Sequence, residues 1–513
     1  MINLWRSPFV RPGGAARPVP TPHSSHPSRQ GRRGAGENVT STTEKAPRDV
    51  PGGRPPHLRH VVFIASVAAM GGFLFGYDSA VINGAVEGIR GRFEVGPGAL
   101  GTVVAIALLG AALGAVIAGR LADRLGRVRV MQLAALLFAA SAIGSMLPFT
   151  VWDLALWRTL GGVAIGMASV IAPAYIAEVS PAEYRGRLAS FQQAAIVLGI
   201  AISQLVNWGL LNLAGGEQRG ELLGLEAWQL MLGIEVVPAA LYGLMSLRIP
   251  ESPRYLVSRG RREDARRVLA GVEAVGTDLD ARVRQIGERL RTEHRPSWRD
   301  LLGGRAGLLP IVWIGIGLSI FQQLVGINVI FYYSNSLWQS VGIDPDASFF
   351  YSFTTSLINI VGTVIAMMLV DRIGRKPLAL IGSAGMTISL GLAAWAFSHR
   401  TGTGDDIRLP DGQATVALVA AHSFVLFFAL SWGVVVWVLL GEIFPNRIRA
   451  AALGVAASAQ WIANFAISQS FPTLSDWNLS GAYVMYATFA FLSFFFVLKW
   501  VPEPRGKALE EMG

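Results

Sequence analysis

The sequence predicts an all-α integral membrane protein with twelve transmembrane helices, built as two halves of six helices joined by a cytoplasmic amphipathic helical linker. Three observations predict this fold. Of the 513 residues, 52% are hydrophobic and only 15% are charged, and the mean hydropathy is +0.44. That composition is too apolar for a soluble chain of this length. Apolar stretches of bilayer-spanning length follow one another, and motifs of the first half return in the second.

The apolar stretches divide the chain into five regions. Twelve spans are predicted near residues 61–86, 99–118, 129–148, 152–177, 188–213, 228–248, 308–336, 347–370, 377–398, 414–440, 449–471 and 482–501. Residues 1–56 are rich in Pro, Arg, Gly and Ser without an apolar period, which predicts a disordered cytoplasmic tail. The other regions are a first half at 57–248, a linker at 249–306, a second half at 307–501 and a cytoplasmic tail at 502–513.

Arginine and lysine fix the expected orientation, because these residues concentrate in cytoplasmic loops. The loop after the second span carries Arg120, Arg124, Arg127 and Arg129, whereas residues 341–346 on the opposite side carry only acidic charges. Both termini are therefore expected in the cytoplasm of a bacterial cell. Residues 258–293 alternate apolar and charged positions at helical spacing, which predicts short amphipathic helices at the inner membrane face.

The composition also removes several classes of function. The chain has no cysteine, which excludes disulfides, thiolate metal sites and cysteine nucleophiles. A formal charge of +10 follows from cytoplasmic arginines and needs no nucleic acid partner. The sequence contains no P-loop, no G-x-S-x-G and no H-E-x-x-H. We therefore expect neither an enzyme nor a bound metal or cofactor.

Three charged motifs occur twice, in the same order, at matching stages of the two halves. Acid–base groups at the cytoplasmic ends of both halves can pair when that side closes and separate when it opens. Simple membrane anchoring explains the arginines but not the repeated acids. The predicted charge network comprises Asp123, Arg124, Arg127, Glu178 and Arg185 in the first half, and Asp371, Arg372, Arg375, Glu442 and Arg449 in the second.

From about residue 57 onward, the chain resembles the sugar porter family of the major facilitator superfamily, and especially actinobacterial glucose permeases and the bacterial xylose–proton symporter. The motifs that carry the resemblance are Gly119-Arg120-x-x-Asp123-Arg124-x-Gly126-Arg127, Pro250-Glu251-Ser252-Pro253-Arg254, Gln322-Gln323-x-x-Gly326-x-Asn328-x-x-x-Tyr332-Tyr333, Asp371-Arg372-x-Gly374-Arg375-Lys376 and Pro502-Glu503-Pro504-Arg505-Gly506. The resemblance implies the major facilitator fold and sugar transport by alternating access.

Two motifs depart from the family pattern. The last motif has Pro504-Arg505 where the family usually has Thr-Lys, and the positive charge is kept. The tenth span reads Gly433-Val434-Val435-Val436-Trp437 where the family often has G-P-x-x-W. Loss of that proline removes an expected helix break, so we expect gating at this helix to differ.

Amides and aromatic rings inside the spans are candidates for sugar binding. Sugars are neutral and covered with hydroxyls, and Gln and Asn offer both donors and acceptors. A single buried amide is more often an interhelical hydrogen bond, but here amides recur on several helices of both halves. The resemblance implies sugar contacts at Gln193, Gln322, Gln323, Asn328, Asn359, Trp437 and Gln460, and an extracellular gate at Tyr332 and Tyr333.

Asp78 in the first span and Arg158 in the fourth are charges inside apolar segments, which mark a functional hypothesis. Two interpretations of this pair stay open on physical grounds: a static buried ion pair, or a proton site whose charge balance changes with conformation. The resemblance favours the proton site, because proton-coupled sugar porters carry an Asp at this position and passive facilitators a neutral residue. His422 is expected to pack, and Glu235 receives no role.

The sequence therefore predicts proton-coupled import of a hexose, with D-glucose as the expected substrate. The expected partners are a small sugar, a proton and the lipid bilayer, and the protein is expected to be a monomer in the cell membrane. A facilitative sugar uniporter of the same fold is the first alternative. A membrane sugar sensor that does not transport is a remote one.

Overall fold

The computed structural model describes residues 58–181, 184–273, 276–292, 298–303, 307–401, 408–445 and 448–502. The predicted N-terminal tail and all but the first residue of the predicted C-terminal tail lie outside these ranges. Within these ranges, the side chains of Arg185 and Asp371, two members of the predicted charge network, are not described.

The first half contains six spans. The sixth consists of two helices, and a short hairpin of β1 (Glu221–Leu222) and β2 (Leu225–Glu226) precedes it. The helices are α1 (Leu58–Phe93), α2 (Pro97–Leu125), α3 (Arg127–Met146), α4 (Val151–Val179), α5 (Arg185–Leu213), α6 (Ala227–Gly233) and α7 (Val236–Ser246). We call the end of the bundle at the α1–α2 loop the outer end, and the end at the α2–α3 turn the inner end.

Three short helices follow the sixth span: α8 (Pro253–Ser258), α9 (Arg262–Val272) and α10 (Leu279–Thr292). A 3-10 turn covers Trp298–Leu301. The helical spacing read from the sequence places Ala265, Leu269 and Val272 on one face of α9, and all three are buried. Their side chains belong to the same apolar cluster as the start of α1.

The second half repeats the pattern with helices α11 (Pro310–Leu324), α12 (Ile327–Gln339), α13 (Pro345–Ile373), α14 (Arg375–Phe397), α15 (Asp411–Ala429), α16 (Trp432–Ile443) and α17 (Arg449–Trp500). Span 7 consists of α11 and α12, and span 10 of α15 and α16. By length and composition, eleven helical stretches in the described part of the chain can cross a membrane. The last of these is interrupted at Asn478, with φ −160° and ψ 95°. It therefore forms two spans, and the predicted total of twelve is confirmed.

Span 10 corrects one expectation, because its helix is broken even without the family's proline. The break lies at Leu430 and Ser431, where Ser431 has φ −132° and ψ −92°. The Trp432 indole nitrogen donates to the Ala379 carbonyl at 3.1 Å and to Ser383 Oγ at 2.9 Å, both on α14. Contacts with a neighbouring span thus hold the bend here, where a proline ring would otherwise force it.

Spans 2 and 4 approach each other so closely that only glycine fits. A Cβ at Gly162 or Gly166 of α4 would overlap the carbonyl oxygens of Ala107 and Ala111 on α2. Small residues of this kind let helix backbones pack tightly in lipid, where dispersion contacts replace the hydrophobic drive. This contact fixes α4, which carries Arg158 one turn before Gly162.

Candidate functional site

The two charges predicted inside the first half meet. Arg158 Nη1 donates to Asp78 Oδ1 at 2.6 Å, and the side chains of Arg158 and Asp78 are only 3% and 2% exposed. Asp78 Oδ2 and Arg158 Nε are buried without a hydrogen-bond partner. A buried ion pair stabilises only while both partners stay together. The pair is therefore sensitive to any movement of α1 against α4.

Glu235, for which the sequence suggested no role, lies beside this pair. It is 2% exposed and occupies the break between α6 and α7. Its carboxyl faces that of Asp78 closely enough for a hydrogen bond when one of them carries a proton, and it also interacts with Arg158. Like Asp78, it is an acid inside an apolar span, and that signal was available in the sequence. What the sequence did not show was that Glu235 lies next to Asp78 and Arg158.

Three of the predicted sugar-binding amides form a chain along span 7. Asn328 Nδ2 donates to Gln323 Oε1 at 2.5 Å, and Gln323 Nε2 donates to Gln322 Oε1 at 3.5 Å. The chain crosses the break between α11 and α12, where Gly326 has φ +82°. Gln322 Nε2 donates in turn to the Trp432 carbonyl at 2.9 Å. The amides therefore connect the breaks of spans 7 and 10.

The other predicted sugar contacts take no part in this chain of hydrogen bonds. Asn359 is buried, Gln193 is half-buried, and Gln460 has a buried Oε1 without a partner. Within the described ranges, no hydrogen bond joins these three to the amides of span 7. Trp437 is 44% exposed. The neighbouring Gln192 packs against Gly72 of α1.

At the inner end, acid–base pairs recur in both halves. Arg127 pairs with Glu178 at 3.0 Å, and Arg375 binds Glu442 through two nitrogens at 2.8 and 3.0 Å. Each of these pairs lies within one half. Of the remaining members of the predicted network, Asp123 lies 3.4 Å from Arg127, Arg124 and Arg372 are exposed, and Arg449 donates to the Phe444 carbonyl at 3.1 Å.

A second acid supports the inner-end pair of the first half. The Glu251 carboxylate accepts the backbone N–H groups of Arg127 at 2.9 Å and of Val128 at 3.2 Å. It therefore caps the first turn of α3, where negative charge is favourable. Gly126, with φ +101°, makes the turn that brings these groups together.

At the outer end, side chains of the two halves contact each other. Asn83 of α1 donates to Ser334 Oγ at 2.9 Å and accepts from the Asn335 backbone at 3.1 Å, both on α12. The Trp208 indole of α5 donates to Asp346 of α13 at 2.8 Å. The first and second halves are thus joined at this end.

The two tyrosines predicted as a gate lie on α12 and are buried. The Tyr333 hydroxyl donates to the Ser468 carbonyl of span 11 at 2.9 Å. The Tyr332 hydroxyl lies within reach of the side chains of Asn464 and of Ser79, the neighbour of Asp78. His422 is held by the Leu418 carbonyl and by two threonines of α13, which agrees with a packing role.

Twelve spans in two repeated halves, with broken helices and buried polar groups near mid-span, define a membrane transporter of the major facilitator fold. Residues 64–513 match the family described as "Sugar (and other) transporter". The chain belongs to this family, and it is a multi-pass membrane protein.

Individual relatives match the sequence of this protein along most of its length. A glucose transport protein of Synechocystis sp. is 52% identical over 91% of this chain and all of its own length. The D-xylose-proton symporter of Escherichia coli is 36% identical over 88% of this chain and 95% of its own. The partially occluded inward-open conformation of the xylose transporter XylE from E. coli matches with a TM-score of 0.75 at 35% identity, covering 88% of this chain and all of the other.

Proposed function

We propose that this protein imports D-glucose together with a proton by alternating access. The observation that carries the proton coupling is the buried Asp78–Arg158 pair, with its 2.6 Å contact inside the membrane span. The sugar assignment is supported by the 52% identity with a glucose transport protein. Two further relatives, named D-xylose-proton symporter and arabinose-proton symporter, support coupling to protons.

The charge balance of the pair explains how a proton would be carried. Two carboxyls, Asp78 and Glu235, face a single guanidinium, so the buried site is neutral when it holds one proton. Leaving an unpaired charge in the membrane costs several kcal/mol. If α1 moves away from α4, Asp78 loses its cation and must take a proton instead. The proton is released when Arg158 returns.

The sugar site is proposed on the second half, with one contribution from span 5. The amide chain of span 7 offers donors and acceptors at two helix breaks, which can move when the halves rock. We assign the sugar contacts to Gln193, Gln322, Gln323, Asn328, Asn359, Trp437 and Gln460. Sugar hydroxyls would satisfy amide atoms such as the unpartnered Gln460 Oε1.

The gates follow from the same geometry. We assign the inner gate to the duplicated charge network, the outer gate to Tyr332 and Tyr333, and the inner end to the cytoplasm of a bacterial cell. In this conformation the halves are joined at the outer end, so the proposed outer gate is closed. A monomer with both termini cytoplasmic is sufficient for this cycle.

Uptake of labelled glucose into proteoliposomes, with and without an inward proton gradient, tests the proposal. The gradient should drive accumulation above the external concentration. Asp78→Asn should abolish this accumulation while glucose exchange at equal concentrations persists, and the exposed Asp411→Asn should change neither. If accumulation survives in Asp78→Asn, Asp78 is not the coupling site. A wild-type protein that exchanges glucose but ignores the gradient is a uniporter, and one that binds without exchange is a sensor.

A further inference from the structure

A polar cavity of about 230 Å³ lies at the outer end, between α1, α12 and span 11. Glu87 and Arg90 of α1 form one wall, and the second half supplies the others. At about 30 Å³ per water molecule, the cavity holds about eight waters, which is room for one monosaccharide. Tyr333 lines the floor, so the cavity lies directly above the proposed outer gate. None of the proposed sugar contacts lines it.

Two residues of the lining carry a side-chain atom without a hydrogen-bond partner. Ser336 Oγ and Gln339 Nε2, both on α12, are buried and unpaired. A buried donor left unpaired is costly and uncommon in folded proteins, and a bound molecule that accepts its hydrogen removes the cost. Gln339 Nε2 would gain such a partner if the amide turned toward a molecule in the cavity.

The lining selects a neutral ligand with many hydroxyls. A cation would be attracted by Glu87 and Asp476, but it offers no acceptor to the Gln339 amide. An anion would meet these two carboxylates against one guanidinium, Arg90, which already lies 3.7 Å from Glu87. Hydroxyl groups both donate to carboxylates and accept from an amide or guanidinium. The rings of Tyr333 and Phe471, with centroids 5.2 Å apart, add an apolar wall of the kind a sugar ring packs against.

We propose that this cavity is an outer subsite that binds a monosaccharide while the outer gate is closed. The assignment rests on the proposed function for the class of ligand, but not on proton coupling or on the central amides. Because its walls come from both halves, an occupant favours the conformation in which they are joined. External sugar at high concentration should therefore slow its own uptake.

The absence of cysteine from the natural sequence allows a direct test. Ser475→Cys places the single thiol of the chain in the cavity wall, and Thr473→Cys places one on the exposed surface two residues away. Maleimide labelling of the first variant in proteoliposomes should fall to about half its rate at a glucose concentration equal to the dissociation constant of the subsite. Labelling of Thr473→Cys should not change.

A second substitution added to Ser475→Cys distinguishes glucose binding at the subsite from glucose binding at the central site. In the Ser475→Cys background, Gln339→Ala should raise the glucose concentration needed for protection about tenfold, whereas Gln323→Ala, or Asn328→Ala if that variant does not express, should leave it unchanged. Equal labelling rates at all glucose concentrations would refute the subsite. So would protection that survives Gln339→Ala but disappears with Gln323→Ala, because it would then originate in the central site. If glucose protects Ser475→Cys from maleimide but the protein transports no glucose, the proposed function is refuted and the subsite is not.

Discussion

Replacing Asn83 with alanine should open the outer end of the protein. The Asn83 side chain is fully buried, and it makes two hydrogen bonds across the halves, to Ser334 at 2.9 Å and from the Asn335 backbone at 3.1 Å. Each bond contributes about 0.5–1.5 kcal/mol net. Their loss should shift the equilibrium by about 1–3 kcal/mol toward the state in which the halves are apart. That corresponds to a change of about 5- to 150-fold in the ratio of the two states.

The population of the two states can be read by pulsed electron spin resonance between two spin labels. Gly98→Cys on α2 and Gly412→Cys on α15 place the labels on different halves at the outer end, where both glycines have open space around them. Asn83→Ala should move the distance distribution toward longer values. Asn207→Ala is the matched control, since Asn207 is equally buried but donates to Val81 of its own half. An unchanged distribution for Asn83→Ala, or an equal shift for Asn207→Ala, would refute the reasoning.

Three further substitutions probe packing, capping and coupling. Gly162→Ala should overlap the α2 backbone and cost about 1–3 kcal/mol, lowering the thermal midpoint in detergent, whereas Gly441→Ala, with open space, should not. Glu251→Gln removes a charged acceptor from the first turn of α3 and should cost about 1 kcal/mol in the same measurement; an unchanged midpoint would exclude the cap. Tyr332→Phe should reduce proton-driven accumulation more than exchange, because its hydroxyl lies within reach of Asn464 and of Ser79, the neighbour of Asp78. An equal reduction of accumulation and of exchange would contradict a coupling role of Tyr332.

The spans could be predicted from the sequence because the bilayer sets a minimum length for every helix that crosses it. The helix break inside span 10 could not be predicted in this way. Span 10 bends at Ser431 because the Trp432 indole binds α14, a contact between segments distant in sequence. Span 7 is different, because Gly326 at its break is a local signal: its φ of +82° favours glycine. Local sequence therefore reports breaks made by backbone conformation, and misses those made by packing.

The same distinction applies to the candidate site. Asp78 and Arg158 could be paired from the sequence because charges are rare inside spans and each demands a partner. Glu235 is also an acid inside an apolar span, but its position beside Asp78 depends on how α6 and α7 pack against α1, which the sequence does not reveal. For Trp437, the sequence indicates how deep the ring lies along its span, but not what the ring faces. Depth along a span does not reveal which side of the helix a ring occupies, and this ring is 44% exposed.

The proposed coupling between sugar entry and proton binding depends on the contact between two helices, α1 and α12. The proposed proton site, Asp78 with Arg158 and Glu235, belongs to the first half, and the amide chain belongs to the second. Ser79 and Asn83 are four residues apart and share one face of α1, and both lie against α12, through Tyr332 and Asn335. The proposed outer gate and its link to the proposed proton site are therefore parts of the same α1–α12 contact. Separating the two helices to admit a sugar would also remove Tyr332 from Ser79, next to Asp78. Sugar entry and the proton site would then be coupled without a longer pathway through the protein.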